Sequence, residues 1–182
     1  MTTEPSESAA PQPHPQPVVL PWIGLLRTNQ FLIKQCFAEI SDQDARFAPP
    51  CRGEGSELNS LIFLALHMLD ARAYLVRLAG GDGDHAFSPL TRGARSQSDL
   101  DLAALPSLPE VLAELKVVHR RLETTLAGVS EEQLAAEVDF PAPLPDKSLL
   151  GVLAFLSQHD SYHLGQLAYI RRLLGYPPMS YT

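Results

Sequence analysis
Cysteine, long apolar runs and basic charge are all scarce in this chain, and each scarcity removes a class of function. Only Cys36 and Cys51 occur among the 182 residues, and they form no CxxC pair. That excludes a disulfide framework or a cysteine zinc ribbon and suits a reducing compartment, so a cytoplasmic location is expected. No uninterrupted apolar stretch reaches the ~18–20 residues needed to span a bilayer, so no membrane partner is expected. Met1 to Gln16 is polar and proline-rich without an apolar core, which does not read as a secretory signal. Lysine and arginine total 14 against 21 acidic residues, a net charge of −7. A sequence-independent grip on DNA or RNA needs a basic face, so nucleic acid is excluded as the expected partner. Walker-type glycine loops, GxGxxG and GxSxG elbows are missing too, and with them the motifs for their chemistries.

What is present is an ordinary globular balance, 45% apolar and 19% charged, sufficient for one domain with a real core. Residues 1–20 alternate proline with polar residues (Pro11, Pro13, Pro15, Pro17) and predict an extended tail; residues 21–182 predict the folded domain. After Pro21, Trp22, Leu25, Leu26, Ile33, Cys36, Phe37 and Ile40 fall near one helical face that ends before Ser41. A Pro/Gly-rich connection follows, from Phe47 to Gly55. Ser56 is a good cap for a second helix running to about Ala79 and stopped by Gly80-Gly81. Residues 81–106 have weak periodicity and are too many for a hairpin between neighbours. They predict a crossover that leaves the second and third helices parallel. The third helix starts near Pro109-Glu110 and ends at Gly128. After a short turn at Ser130–Ala136, the last helix is capped by Asp146 or Ser148 and stopped at Gly175-Tyr176-Pro177-Pro178. With no period-2 strand pattern and no internal repeat, the fold class is all-α, with four long helices.

The chemistry concentrates in the last of these helices. His159 and His163 are four residues apart, so both imidazoles emerge on one side, roughly 6 Å apart at Cβ. From that spacing a helix can give two nitrogen ligands to one metal ion. His163 falls within about 20° of the centre of the stripe formed by Leu149, Val152, Leu153, Leu156, Leu167 and Ile170, with His159 on its flank. His67 flanks the stripe of the second helix, near its midpoint, while His159 and His163 straddle the midpoint of the fourth. If those helices are neighbours, three imidazoles meet at one level, a donor set with open positions of the catalytic type. The duller account is three satisfied core histidines.

At these residues the chain resembles the DinB-like superfamily of four-helix-bundle metalloproteins, related to bacterial thiol transferases. The run His-Asp-Ser-Tyr-His-Leu-Gly-Gln at 159–166 resembles that family's last helix, and Leu-Ala-Leu-His-Met-Leu-Asp-Ala at 64–71 its second. Leu-Leu-Arg-Thr-Asn-Gln-Phe-Leu at 25–32 fits the opening helix more loosely, and the likeness covers about residues 20–176. It implies an up-down-down-up bundle with a long crossover between the second and third helices. It also implies a divalent metal, zinc or nickel, held by His67, His159 and His163, and a homodimer. The activity implied is that of a metal-dependent thiol S-transferase or hydrolase acting on a small molecule, with a low-molecular-weight thiol as possible second cofactor. The alternative is a non-catalytic metal- or ligand-binding stress-response bundle.

Other residues are candidates around such a centre. Gln166, three residues after His163, either hydrogen-bonds a ligand or substrate or is a solvated amide. Asp160 lies near the stripe centre and is either a general base, an acceptor for a ligand imidazole, or the partner of an arginine at the bundle edge. Asn29 interrupts the first helix's stripe and either lines a cofactor pocket or bonds helix to helix. His119, near the centre of the third helix's stripe, is a fourth ligand, a pocket base or an interior histidine. Tyr74 and Tyr162 offer a pocket phenol or packing. His14 and His85 are expected in solvent, Cys36 in the core, and Cys51 in a loop without an activator.

Overall fold
Serine at the start and glycine just past the end set the limits of three of the four long helices, and proline opens the other. The computed structural model describes residues 15–50, 58–94, 96–101 and 104–180. Among these the chain is helical, with an isolated bridge between Glu137 and Ser148 and no strand. No helix among the described residues is long and apolar enough to cross a membrane.

Helix α1 (Leu20–Cys36) carries proline in its first turn and follows a 3-10 turn over Pro17–Val19. Val19 is fully buried, so the end of the predicted tail belongs to the fold; residues 1–14, with His14, lie outside the described residues. Phe37 and Ile40 are buried as their pattern predicts, but they lie beyond the helix, which ends before the chain turns at Glu39 (φ 65°). A short helix α2 (Asp42–Arg46) lies between the first predicted helix and the connection expected from Phe47; five residues are too few to show a period. Its Asp42 accepts from the Leu108 amide at 2.6 Å, fixing it to the start of α5 (Leu108–Ala127).

Helix α3 (Leu61–Leu78) is capped by Ser60, whose Oγ accepts from Phe63 N; the expected cap, Ser56, and Cys51 lie outside the described residues. The crossover to α5 holds a one-turn helix α4 (Ser88–Thr91) and a 3-10 turn over Gln97–Asp99. Helix α5 opens on a reciprocal cap between Ser107 and Glu110. A short α6 (Glu131–Ala135) precedes α7 (Leu149–Leu173), where Ser148 Oγ accepts from Gly151 N and Asp146 holds the Ser148 amide. Both expected capping residues thus take part. Gly175, at φ 86°, ends α7 in the conformation glycine adopts most readily.

Helix α3 packs on α5 and α7, and α1 packs on α7 and more lightly on α5. The interior is two apolar clusters. One joins Ile33 of α1, Leu64 and Leu69 of α3, Leu115 of α5, and Leu164 and Leu167 of α7. The other joins Ile23 and Leu26, Leu75 and Val76, Leu122 and Leu126, and Leu149–Leu156. Between them runs a buried polar layer: Asn29, Arg72, His119, Ser157, Asp160 and His163. Burying that many polar groups costs stability unless they are paired, so their partners define the site.

Candidate metal centre
His67 on α3 and His159 and His163 on α7 come together in this layer because α3 and α7 are packed neighbours. His67 stacks nearly parallel on Phe63, with ring centroids 5.9 Å apart, and His159 sits 6.3 Å from the Phe155 ring. His159 Nε2 is 3.1 Å from His67 Nε2 and 3.0 Å from His163 Nε2. One ligand atom from each ring lies within 4.8 Å of the others.

Two-centre hydrogen bonds between neutral rings can satisfy only one of these two contacts at a time. A neutral imidazole nitrogen offers either one N–H or one lone pair. Gln166 Oε1 lies 2.6 Å from His163 Nδ1, which places that ring's proton on Nδ1 and leaves Nε2 as a lone pair. If His159 Nε2 carries a proton it can donate to His163 but offers His67 nothing; if it is a lone pair it faces another lone pair. Burial keeps the rings neutral. It lowers the pKa of His67, with the neighbouring His163 adding to the effect. It pushes His159 down to about 4, helped by His163 and His67 and opposed by Asp160. It lowers His163 as well, with Gln166 and Asp160 opposing. Neutral nitrogens converging on one point are the donor chemistry of a borderline divalent cation. Their spacing approaches the ~3.3 Å edge of a tetrahedron with ~2.0–2.1 Å metal–nitrogen bonds. The three histidines fit a metal ion.

The other candidates fall behind or beside the histidines. Asp160 is clamped by Arg72 through two bonds, Nε to Oδ1 at 3.0 Å and Nη2 to Oδ2 at 2.9 Å, with both side chains almost wholly buried. This arginine sits in the interior rather than at the bundle edge. Asn29 Nδ2 donates to Asp160 Oδ2 and to Ser161 Oγ, each at 3.0 Å, so it ties α1 to α7. Gln30 accepts from Arg72 Nη1. With its oxygens so engaged, Asp160 is placed to position the layer rather than to abstract a proton. Gln166 also donates from Nε2 to Tyr162 Oη at 3.2 Å, and Tyr162 is otherwise exposed. Tyr74 Oη donates to the Asp139 carbonyl.

His119 is not brought to the three-histidine group. Its Nε2 lies 3.2 Å from Glu123 Oε1, one turn on, and Glu123 also accepts from Arg27 of α1. Burial first, then the nearby Arg72 cation, lowers its pKa to about 4. His85 departs from expectation: it is buried, not solvated, and its Nε2 lies 2.7 Å from Asp70 Oδ1. Thr91 Oγ1 donates to the same oxygen at 2.8 Å, which straps the crossover to α3 beside His67. Arg72, Asp70 and Gln30 were not singled out by the sequence; the one available signal was that buried Asp160 demands a cation. A cleft of about 560 Å³ reaches His67 and His159, walled by the crossover on one side and Phe140 and Phe155 on the other. A separate cleft of about 480 Å³ touches Tyr162 and Gln166 but none of the three histidines.

The model of the DinB superfamily matches residues 25–167. The chain belongs to the DinB superfamily. The matched segment of this DinB-superfamily chain contains all three histidines, the Arg72–Asp160 pair and Gln166. Its fold is similar to a crystal structure described as a conserved protein from Enterococcus faecalis. The TM-score is 0.71 at 16% identity, over 87% of this chain and 97% of that one. No curated protein matches the sequence.

Proposed function
We propose that this DinB-superfamily chain is an up-down-down-up bundle that holds one divalent metal ion, zinc or nickel, through Nε2 of His67, His159 and His163. We further propose that it acts on a small molecule as a thiol S-transferase or hydrolase. The observation that carries the reading is the convergence of three imidazole nitrogens, with His159 Nε2 3.1 Å from His67 Nε2 and 3.0 Å from His163 Nε2. The sharing of each apolar cluster by one end of every long helix supports the bundle direction. A cytoplasmic homodimer is part of the proposal; Tyr162, Tyr169 and Leu173, exposed along α7, offer it an apolar face.

Within this reading, a bound metal supplies Lewis acidity that favours the deprotonated form of a thiol or water. The protein does the rest. Gln166 holds the His163 proton on Nδ1, and burial keeps all three rings neutral so that their lone pairs are available. Arg72 and Asp160 hold α3 and α7 in register across the layer. The cleft admits a small molecule at the His67 and His159 edge, with the segment between α3 and α5 as one wall.

The test is elemental analysis of untagged protein together with a screen for transfer of a low-molecular-weight thiol to electrophiles. One metal per chain with turnover supports the transferase; release of an acid or alcohol without thiol supports the hydrolase. Metal without any turnover means a non-catalytic metal- or ligand-binding bundle. Full metal content in the His159→Ala and His163→Ala proteins would remove the site assignment.

A further inference from the structure
The cleft over the histidines carries one guanidinium, that of Arg77, with no carboxylate partner among the described residues. The chain as a whole carries −7, yet the fixed charges lining this cleft are Arg77 and Arg92 against Asp70 alone. Asp70 is already occupied by His85 and Thr91. Arg92 pairs with Asp84 in an exposed contact at 3.1 Å. Arg77 has no carboxylate partner among the described residues: it donates to the Gly83 carbonyl at 3.4 Å and lies over the Tyr74 ring at 5.2 Å. A guanidinium held against an aromatic face with its donors nearly free is a receptor for a carboxylate.

The opposite wall is apolar and continuous. Tyr74 and Phe140 have centroids 5.9 Å apart, Phe140 and Phe155 5.6 Å, and Phe155 reaches His159 at 6.3 Å. The cleft's volume of about 560 Å³ is that of a small-molecule site. Along α3, Arg77 lies ten residues beyond His67, a rise of about 15 Å that an arginine leaning toward the helix start shortens to on the order of 10 Å.

We infer that the cleft selects small organic anions: a substrate whose aromatic or apolar body lies along Tyr74, Phe140 and Phe155, with its carboxylate on Arg77 and its reacting end at His67 and His159. The inference rests on the metal-centre reading for the reacting end, and on the cleft alone for the anion.

The probe is 3-phenylpropanoate, compared with 3-phenylpropan-1-ol and 3-phenylpropylamine, titrated calorimetrically into the full chain as purified and again after metal removal by a chelator. The acid is expected to bind at least tenfold more tightly than the alcohol or amine in both forms. Arg77→Gln is expected to abolish that preference, Arg77→Lys to retain part of it, and circular dichroism to show both variants folded. Equal binding of acid and alcohol, or a preference unmoved by Arg77→Gln, overturns the inference. A preference that disappears on metal removal and ignores Arg77 also overturns it, because the metal then holds the anion, and leaves the centre standing. An Arg77-dependent preference in protein that never binds metal supports the anion site while the centre fails.

Discussion

His163 Nδ1 and Gln166 Oε1 lie 2.6 Å apart, one turn along α7, and this contact decides which nitrogen of His163 faces His159. Partners of this kind orient an imidazole and set its tautomer, and losing them weakens metal affinity by about 10–100-fold. Gln166→Ala is therefore expected to lose affinity in that range, measured by competition with a chromophoric chelator. Because Gln166 is at the surface side of the ring, the metal-free variant should melt close to the unaltered protein. Unchanged affinity would mean that the contact does not set the tautomer.

Asp160 and Arg72 are an ion pair inside the polar layer, so removing one partner strands the other. Asp160→Ala or Arg72→Ala should cost about 3–5 kcal/mol in urea unfolding. The double substitution Arg72→Met with Asp160→Leu should recover much of that, since no charge is left buried. Single variants that cost less than about 1 kcal/mol would show that water reaches the pair.

Stability should fall with acid in a defined window. The pKa values of His67, His119, His159 and His163 are lower in the folded protein than the ordinary 6.5, with His119 and His159 near 4. Below pH 6.5 the unfolded chain takes up protons that the folded chain refuses, so stability is complete above that pH and is lost as pH falls toward 4. Each such histidine contributes a slope of up to about 1.4 kcal/mol per pH unit. Thermal melts of metal-free protein between pH 7.5 and 4 check this, and a flat profile would contradict neutral buried rings. Protons compete for the same lone pairs, so metal is expected to leave over this range too.

The crossover lies against the α3 backbone at Gly83, where an added Cβ would collide with the Ala73 carbonyl oxygen and come within 2.9 Å of Arg77 Cβ. Gly83→Ala must push the segment outward, at a cost of about 1–3 kcal/mol. Hydrogen exchange should quicken at residues 85–91, next to the His85–Asp70 strap, while α5 and α7 keep their protection. Unaltered exchange there would show that the strap holds without the close approach.

Features that depend on neighbours along the chain were legible beforehand. The existence of α1, α3, α5 and α7 follows from a 3.6-residue apolar period, begun by proline in α1 and followed by glycine after α3, α5 and α7, and these signals act within one turn. Helix α2 escaped because a five-residue helix held by Asp42 on the distant Leu108 amide has no local pattern to read. His85 looked solvated because its loop is polar; what buries it is Asp70, fifteen residues earlier on α3.

The sequence by itself determined that His159 and His163 share a side of one helix, because i and i+4 are adjacent on any α-helix. It also put His67 at matching depth. Only the tertiary structure decided that the three Nε2 atoms meet, and that Asp160 is bound to Arg72, 88 residues away, instead of standing free as a base. Periodicity names the face on which a side chain emerges. Which buried charge it finds there depends on how two distant helices pack.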